Sequence, residues 1–558
     1  MKQYMSLITP LFIHKETMEF HLSYSSIVLT SFSLIILPFL IYILNRNRKR
    51  ATRGKNRRPP QAKGAWPIIG HLHLLGGPQL PHHVLGDMAD KYGPIFSIKL
   101  GVHDALVVTS GTIAKACFTT NDKTFANRPK LEATKLMAYD NAMFGLGPYG
   151  EYWRQMRKMV MLEALSQRRV DMFGHIRASE LRASIKDLYV GCIRDKTSEN
   201  SEMVMKVEMN QWFGKLVANI MVRIITGKRF LPHEEEGVRF QTIVRKFFEL
   251  LGAFVVSDFI PYLKCFDVGG YIKVMKKTAN DLDNIFEGWL KEHKKESKSP
   301  QQDHEGNRVF INVLNSILQD ASQEEFPGFD HDTIIKATCQ FSETLIQDPF
   351  WQQLLVAGLD TTSGTLTWAL ALLINNPKTL KTAQDEIDEH VGRDRLVKES
   401  DMKNLIYLDA IIKETLRLYP AAPLSAPHES TEDCIVSGYN IPKGTRLLVN
   451  LYKMHRDPNI WQDPLEFRPE RFLTTQKDID FKGKHYDLLP FGSGRRMCPG
   501  INFSLQAVGL TLATLIQQFE IKNPSDEPID MTESSGMTIC KSTPLDVLLA
   551  PRLSSNMY

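Results

Sequence analysis

The alternation of apolar and polar positions divides the chain into an anchor, a hinge and a helical body. Residues 25–44, SSIVLTSFSLIILPFLIYIL, hold twenty positions without a charge. At 1.5 Å per residue that is about enough to cross a 30 Å hydrocarbon core. Eight basic residues follow before position 60 with no acid among them: Arg46, Arg48, Lys49, Arg50, Arg53, Lys55, Arg57 and Arg58. This predicts one transmembrane signal anchor, with residues 1–24 lumenal and everything after the anchor cytoplasmic. A cleaved signal peptide fits less well, because the run is long, basic residues follow it and no small-residue cleavage site is evident. Met18 is an alternative start. Pro59, Pro60 and Pro67 fix φ within residues 45–70, which read as a basic, proline-rich hinge. From about Asp87 the apolar spacing becomes 3.6 residues, so residues 71–558 are expected to form a mainly α body with small β-sheets. Strand-like runs are few, at residues 95–101, 104–110 and 445–452. The polar stretch 291–307 predicts an exposed loop, and no repeat of 20–50 residues is visible.

Composition narrows the function without choosing one. Hydrophobic residues make up 43% of the 558 and charged residues 23%, ordinary for a globular protein. The net charge of +5 is too small, and too concentrated in the hinge, to imply nucleic-acid binding. Seven cysteines at 117, 192, 265, 339, 434, 498 and 540 are odd in number, scattered and never CxxC. That argues against a disulfide framework or a structural zinc site, and for a reducing, cytosol-facing compartment. GLGPYG (Gly145, Gly147, Gly150) matches GxGxxG literally, but a nucleotide turn needs a buried strand before it, and LMAYDNAMF is not one. No Walker A loop, HExxH or GxSxG motif is present.

Cys498 is the most informative of the cysteines. It lies in LLPFGSGRRMCPGINFSLQAVGL, ahead of Pro499 and an apolar-faced helix, so it sits near a helix N-terminus. Free N–H groups and the helix dipole there favour a thiolate. With disulfide and zinc set aside, a nucleophile and a haem ligand remain as its possible jobs. Glycines at 492, 494 and 500 would let the backbone approach something flat and large.

FGSGRRMCPG matches FxxGxRxCxG through Phe491, Gly494, Arg496, Cys498 and Gly500, and so resembles the haem-binding loop of the cytochrome P-450 family. KETLRLYP carries Glu414 and Arg417 at i,i+3, on one helical face, similar to that family's ExxR. FRPERF supplies Arg471 where the family places the third member of a buried structural triad that holds the cysteine loop. AGLDTTSGTLTWALALL resembles the family's central helix over the distal face of the haem. There Asp360 and Thr361 would deliver protons, and Gly358 would leave room for O₂ and substrate. YWRQMRK carries Trp153 and Arg157, which with Arg496 and His428 would meet the haem propionates through charge-assisted hydrogen bonds. The resemblance spans about residues 59–553 and is nearest to plant microsomal members acting on alkaloids, phenolics and terpenoids.

That resemblance implies the cytochrome P-450 fold after one N-terminal transmembrane helix. It also implies a haem b held by Cys498 and an endoplasmic-reticulum membrane location with the catalytic domain in the cytoplasm. The implied reaction is NADPH- and O₂-dependent oxidation, such as hydroxylation, of a small hydrophobic plant secondary metabolite. Electrons would come from NADPH–cytochrome P-450 reductase, since the chain has no flavin or nicotinamide motif of its own. Arg154 and Lys158 are candidates for its docking surface. Residues 143–145, 254–257, 357, 421–425 and 537–538 are candidate pocket positions. Two rivals are a haem-thiolate isomerase or dehydratase that needs no O₂, and a non-catalytic product of a mis-spliced gene. The second arises because the segment before Ala357 is about a dozen residues longer than the family's usual join and contains Pro349. A proline inside a helix costs about 3 kcal/mol. Asp348–Pro349 therefore predicts a break, with one helix ending near Gln347 and a second beginning near Pro349.

Overall fold

The computed structural model describes residues 57–195, 203–227, 229, 235–264, 266–296 and 350–558. The apolar run at 25–44, the alternative start, most of the basic cluster, the polar stretch from 297 onward and the break at Asp348–Pro349 lie outside these residues. Among the described residues no helix is long and apolar enough to cross a membrane. The chain divides into Met1–Arg58, of which only Arg57 and Arg58 are described, and a body, Pro59–Tyr558.

Within the body the 3.6-residue periodicity becomes helix. In chain order the longer helices are α1 (Pro81–Tyr92), α2 (Glu151–Met159), α3 (Gly174–Arg194), α4 (Met209–Thr226), α5 (Glu235–Leu251) and α6 (Tyr271–Glu296). They continue with α7 (Phe350–Asn375), α8 (Pro377–His390), α9 (Ile406–Leu418) and α10 (Ile501–Gln518). α1 follows the local rules directly: Pro81 opens it, and Gly93 with φ +91° closes it, its N–H donating to the Ala89 carbonyl. α10 is buried at every position from Ala507 to Gln518, a mostly apolar stretch in which Gln517 donates to the carbonyls of Gly392 and Arg395. α7 packs against α4, α5, α9 and α10, and so forms the axis of the helical core.

Among the described residues there are nine short strands, β1 (Ile95–Leu100), β2 (His103–Val108), β3 (Met205–Glu208), β4 (His428–Glu429), β5 (Cys434–Val436), β6 (Tyr439–Ile441), β7 (Arg446–Val449), β8 (Phe519–Lys522) and β9 (Asp546–Pro551). They form sheets in the orders β1-β2-β7-β4, β3-β9-β8 and β5-β6. β2 is antiparallel to β1 and parallel to β7, with Ala105 opposite Arg446. Its period-2 pattern feeds two cores: Leu106 and Val108 pack with Ile95, Leu447 and Val449, while Ala105 and Val107 pack with Phe96 and Ile98. The run expected at 445–452 stops at Val449, because the Asn450 side chain accepts the Lys453 N–H at 3.0 Å and caps a short helix, Leu451–Met454. The proline-bearing segment is fixed along β1: Ser97 N–H donates to the Pro60 carbonyl at 2.8 Å, and His71 N–H to the Lys99 carbonyl at 2.7 Å. It thereby covers a sheet edge.

Candidate functional site

The loop before α10 is shaped by its glycines. Gly492 and Gly494 have φ of +70° and +68°, where a side chain is disfavoured. A Cβ on Gly494 would also stand 2.5 Å from Asp122 Oδ1. The loop turns back so that Cys498 N–H donates to the Phe491 carbonyl at 2.9 Å, and the Phe491 ring meets Phe481 edge-on at 5.8 Å. Gly500 offers its backbone N–H to the Cys498 sulfur. The Cys498 side chain is exposed by area, yet burial is the largest influence on its thiol. Both hold if Sγ borders an enclosed internal space rather than the outer surface. Burial raises the thiol pKa, and the Gly500 amide and Arg157 pull it back only in part. The dipole at the helix start is thus outweighed by desolvation, and a thiolate here needs a metal cation as its partner.

Beside Cys498 lies a set of cations, Arg128 buried and Arg157 and Arg496 half-buried. α2 places Trp153 and Arg157 four residues apart, one turn of the same face. Trp153 is buried and its Nε1 has no hydrogen-bond partner among the described residues. The Arg496 guanidinium lies 4.3 Å from the Trp153 ring and donates to the carbonyls of Ala126 (2.7 Å), Phe144 (3.1 Å) and Gly147 (2.7 Å). Burial first, then Arg128 and Arg157, pushes its pKa down to about 8. Arg128 is itself buried and donates to the carbonyls of Gly145, Ala426 and Pro427. His428 is buried with Nδ1 2.7 Å from the Phe125 carbonyl. Burial and Arg128 hold it well below the usual imidazole range, hence neutral. No described carboxylate pairs with Arg128, Arg157 or Arg496 among the described residues. Unpaired buried cations are costly, so this donor set fits a multiply anionic ligand. The GLGPYG segment, rejected as a nucleotide turn, proves to supply two of these carbonyl acceptors.

Glu414, Arg417 and Arg471 meet in the core, all at 2% exposure or less. Arg417 grips Glu414 with two bonds of 2.7 and 2.8 Å, and Arg471 Nε reaches the same carboxylate at 3.1 Å. The remaining guanidinium hydrogens go to carbonyls, including Arg417 to His455 at 2.8 Å and to Pro464 at 2.8 Å, and Arg471 to Gln462 at 2.7 Å. His455 carries the restraint onward, its Nε2 accepting the Leu489 N–H at 3.0 Å, two residues before Phe491. Burial and Arg417 lower His455 to a pKa of about 3, which keeps that nitrogen free to accept.

α7 carries a row of hydroxyls bonded back to the preceding turn: Thr361 to Ala357 (2.7 Å), Ser363 to Leu359 (2.7 Å), Thr365 to Thr361 (2.9 Å) and Thr367 to Ser363 (2.8 Å). Asp360 is buried, accepts from the Thr538 hydroxyl and lies 3.9 Å from Cys540 Sγ. Burial raises its pKa, with Thr538, Arg245 and Cys540 acting in the opposite sense. Asp360 forms one wall of a cleft of about 170 Å³ shared with Arg245 and Phe248 of α5 and with the loop from Ser534 to Cys540. A Cβ on Gly358 would lie 3.0 Å from Met221 Cε, so its small size serves α4–α7 packing, while Ala357 is exposed.

Of the other sequence candidates, Arg154 pairs with Glu151 on the surface and Lys158 is exposed. Phe254 and Val256 are partly buried and pack against the core cluster that contains Phe96. Ser425 adopts φ +55°, and Met143 and Ser257 are buried. Arg128, Arg245, His455, Thr538 and Cys540 were not singled out from the sequence as chemistry-bearing. Only Arg128 carried a local hint, a lone cation in the apolar segment FANRP.

A family model described as cytochrome P450 matches residues 59–549. The chain is 47% identical to strychnine-10-hydroxylase of Strychnos nux-vomica, over 97% of this chain and 100% of that protein. It is 46% identical to a flavonoid-6-hydroxylase of Ocimum basilicum, over 95% and 97% respectively. It is also 44% identical to a xanthotoxin 5-hydroxylase of Arabidopsis thaliana, over 95% and 99%. A solved zebrafish cytochrome P450 with abiraterone superposes with a TM-score of 0.67, covering 85% of this chain and 99% of that one at 24% identity, a likeness of fold.

Proposed function

This chain belongs to the cytochrome P450 family and is a monooxygenase by class, and from that premise we propose that it uses NADPH and O₂ to hydroxylate a hydrophobic secondary metabolite of the alkaloid, flavonoid, coumarin or terpenoid kind. The observation that carries the reading is one cysteine sulfur beside Arg157, with an unpartnered indole N–H, the buried Arg128 and the half-buried Arg157 and Arg496 guanidiniums grouped around it. That set fits a haem and its two carboxylates. Cys498 Sγ would ligate its iron, and Trp153, Arg157, Arg496 and His428 would hold the carboxylates, with the Arg128 charge adding to theirs. When bound, thiolate-ligated iron supplies the O₂-activating chemistry.

The chain's own residues do the rest. Glu414, Arg417 and Arg471 hold the cysteine loop in place. Because His428 Nδ1 faces the Phe125 carbonyl, its Nε2 would need a second proton to donate to a carboxylate, and an adjacent anion favours that proton. Asp360, with its raised pKa, would hold a proton beside the cleft, and the Thr361 hydroxyl would pass it on. The exposed Ala357 would leave room for substrate.

Residues 25–44 would anchor the protein in the endoplasmic reticulum membrane with the body cytoplasmic, where NADPH–cytochrome P450 reductase supplies electrons. The relatives' names specify hydroxylation of strychnine, a flavonoid and xanthotoxin, which supports the substrate class. The test is full-length protein in microsomes with reductase, NADPH and a panel of such metabolites, beside the CO-bound reduced spectrum. A hydroxylated product that needs both NADPH and O₂ is expected, with a red-shifted Soret band. Conversion without either would move the assignment to an isomerase or dehydratase. Absence of the band would indicate a non-catalytic protein.

A further inference from the structure

The first turn of α1 and the loop after β8 meet far from Cys498 in sequence, at His82, His83 and Glu533. His82 Nε2 lies 2.7 Å and His83 Nε2 3.1 Å from the same oxygen, Glu533 Oε2, and all three ligand atoms fall within 4.8 Å of one another. Two imidazole nitrogens and a carboxylate are a ligand set for a borderline divalent cation, not for the oxygen-seeking calcium or magnesium. Ligand atoms about 2.1 Å from a shared tetrahedral zinc ion stand roughly 3.4 Å apart, so the two nitrogen–oxygen separations of 2.7 and 3.1 Å need to open by only a few tenths of an ångström. We infer that His82, His83 and Glu533 form a zinc-binding site that joins the start of the body to its C-terminal loop.

Three further features support it. The surroundings are dry on two sides and open on the third: the His82 and Glu533 side chains are 4% and 8% exposed, and His83 is 33% exposed. The exposed edge admits the ion and leaves room for water as a fourth ligand. The ligands are also held in place without the ion. The Tyr452 ring packs on both imidazoles at 4.8 and 4.6 Å, and Asn450 Nδ2 donates to the His82 carbonyl at 2.8 Å. Finally, both imidazole Nε2 atoms already converge on one carboxylate oxygen, so binding exchanges those N–H···O hydrogen bonds for bonds to the ion, each ring proton moving to Nδ1. The guanidinium of Arg456, 3.5 Å from the Tyr452 ring, adds a positive charge nearby, which opposes the binding of a cation.

The site pins a loop that also carries Thr538 and Cys540, the partners of Asp360. The experiment uses tag-free, haem-loaded, full-length protein stripped with a chelator and titrated with zinc chloride by calorimetry, with bound metal counted after equilibrium dialysis. His83→Ala removes a partly exposed ligand, and Glu533→Gln keeps the shape of the carboxylate without its charge. Both are first shown to retain the wild-type CO-bound spectrum, so loss of fold is separated from loss of the site. One zinc per chain is expected, with a raised melting temperature, and binding weakened at least tenfold in each variant. No zinc taken up by the wild type, or equal uptake by His83→Ala, would overturn the site and leave a plain histidine–glutamate clasp.

Discussion

Replacing His455 with alanine separates the ion-pair triad from the loop it is argued to hold. The backbone carbonyl that accepts from Arg417 survives the substitution, so the Glu414–Arg417–Arg471 cluster keeps its bonds. What disappears is the imidazole that accepts the Leu489 N–H at 3.0 Å. Both residues are fully buried. Stranding a buried donor costs about 1–3 kcal/mol. Removing the ring opens a cavity as well, and large-to-alanine changes in a core total about 3–5 kcal/mol. At about 1.4 kcal/mol per tenfold, the stranded donor alone favours local opening of the loop by about 5- to 140-fold, and the cavity adds to this. Glutamine at 455 keeps a side-chain acceptor and should recover much of the loss. The assay is transfer of haem to excess apomyoglobin, with hydrogen exchange of the peptide spanning Leu489 followed in parallel. Transfer should be at least tenfold faster in His455→Ala and close to wild type in His455→Gln, with Leu489 exchange faster only in the alanine variant. If the alanine variant keeps both haem and Leu489 protection at wild-type levels, the tie through His455 does not restrain the loop. Equal damage in both variants would make ring volume, not the acceptor, the cause.

Glu414→Gln leaves two guanidiniums buried without their carboxylate, a loss of about 3–5 kcal/mol. A much lower urea midpoint and poor accumulation of haem-loaded protein should follow. Thr538→Val removes the hydroxyl bond that holds the Asp360 pKa down against burial, so the Asp360-dependent limb of the pH profile for NADPH consumption should move to higher pH at nearly unchanged melting temperature. Arg128→Met should weaken haem retention while leaving the haem-free protein as stable or more so, because the charge it removes lies among Arg496 and His428; haem transfer and haem-free unfolding measure the two halves. His455 is held at a pKa of about 3 against an ordinary 6.5. The unfolded chain therefore binds more protons between those values. The stability this group contributes is full above about pH 6.5 and is lost as pH falls toward about 3, so unfolding midpoints of His455→Gln should fall less steeply with acid than wild type.

Elements whose signal is local were legible in the sequence. The cysteine loop, the i,i+3 pair Glu414–Arg417 and strands β1 and β2 were each read from a stretch of some ten residues or fewer, because their spacing is the spacing of one helix face or one strand. β7 was read three residues too long at its C-terminal end, since the cap made by Asn450 competes with an apolar run that looks continuous. Contacts with distant partners were not legible. Asp360 was marked as chemical, but Thr538, which orients it, is 178 residues away. His455 lies in an unremarkable loop, and its role appears only when Leu489, 34 residues on, is folded against it. Arg128 needed Arg496, Gly145 and Ala426 around it before its burial had meaning. The electrostatics of Cys498 also reversed on folding, because a dipole argument made from sequence contains no desolvation.

The parallel pairing of β2 with β7 sets a timetable for biosynthesis. Ala105 pairs with Arg446, about 340 residues later in the chain. At roughly 5–20 residues per second on the ribosome, the β1–β2 hairpin waits on the order of 20–70 seconds before its other neighbour has been translated. Through that interval one edge of β2 is a template for any extended segment that reaches it. Closure of this sheet therefore cannot precede the synthesis of β7, and the cysteine loop is made later still. Strengthening the β1–β2 turn would not hasten that step; a chaperone guarding the waiting edge would raise the yield of active protein.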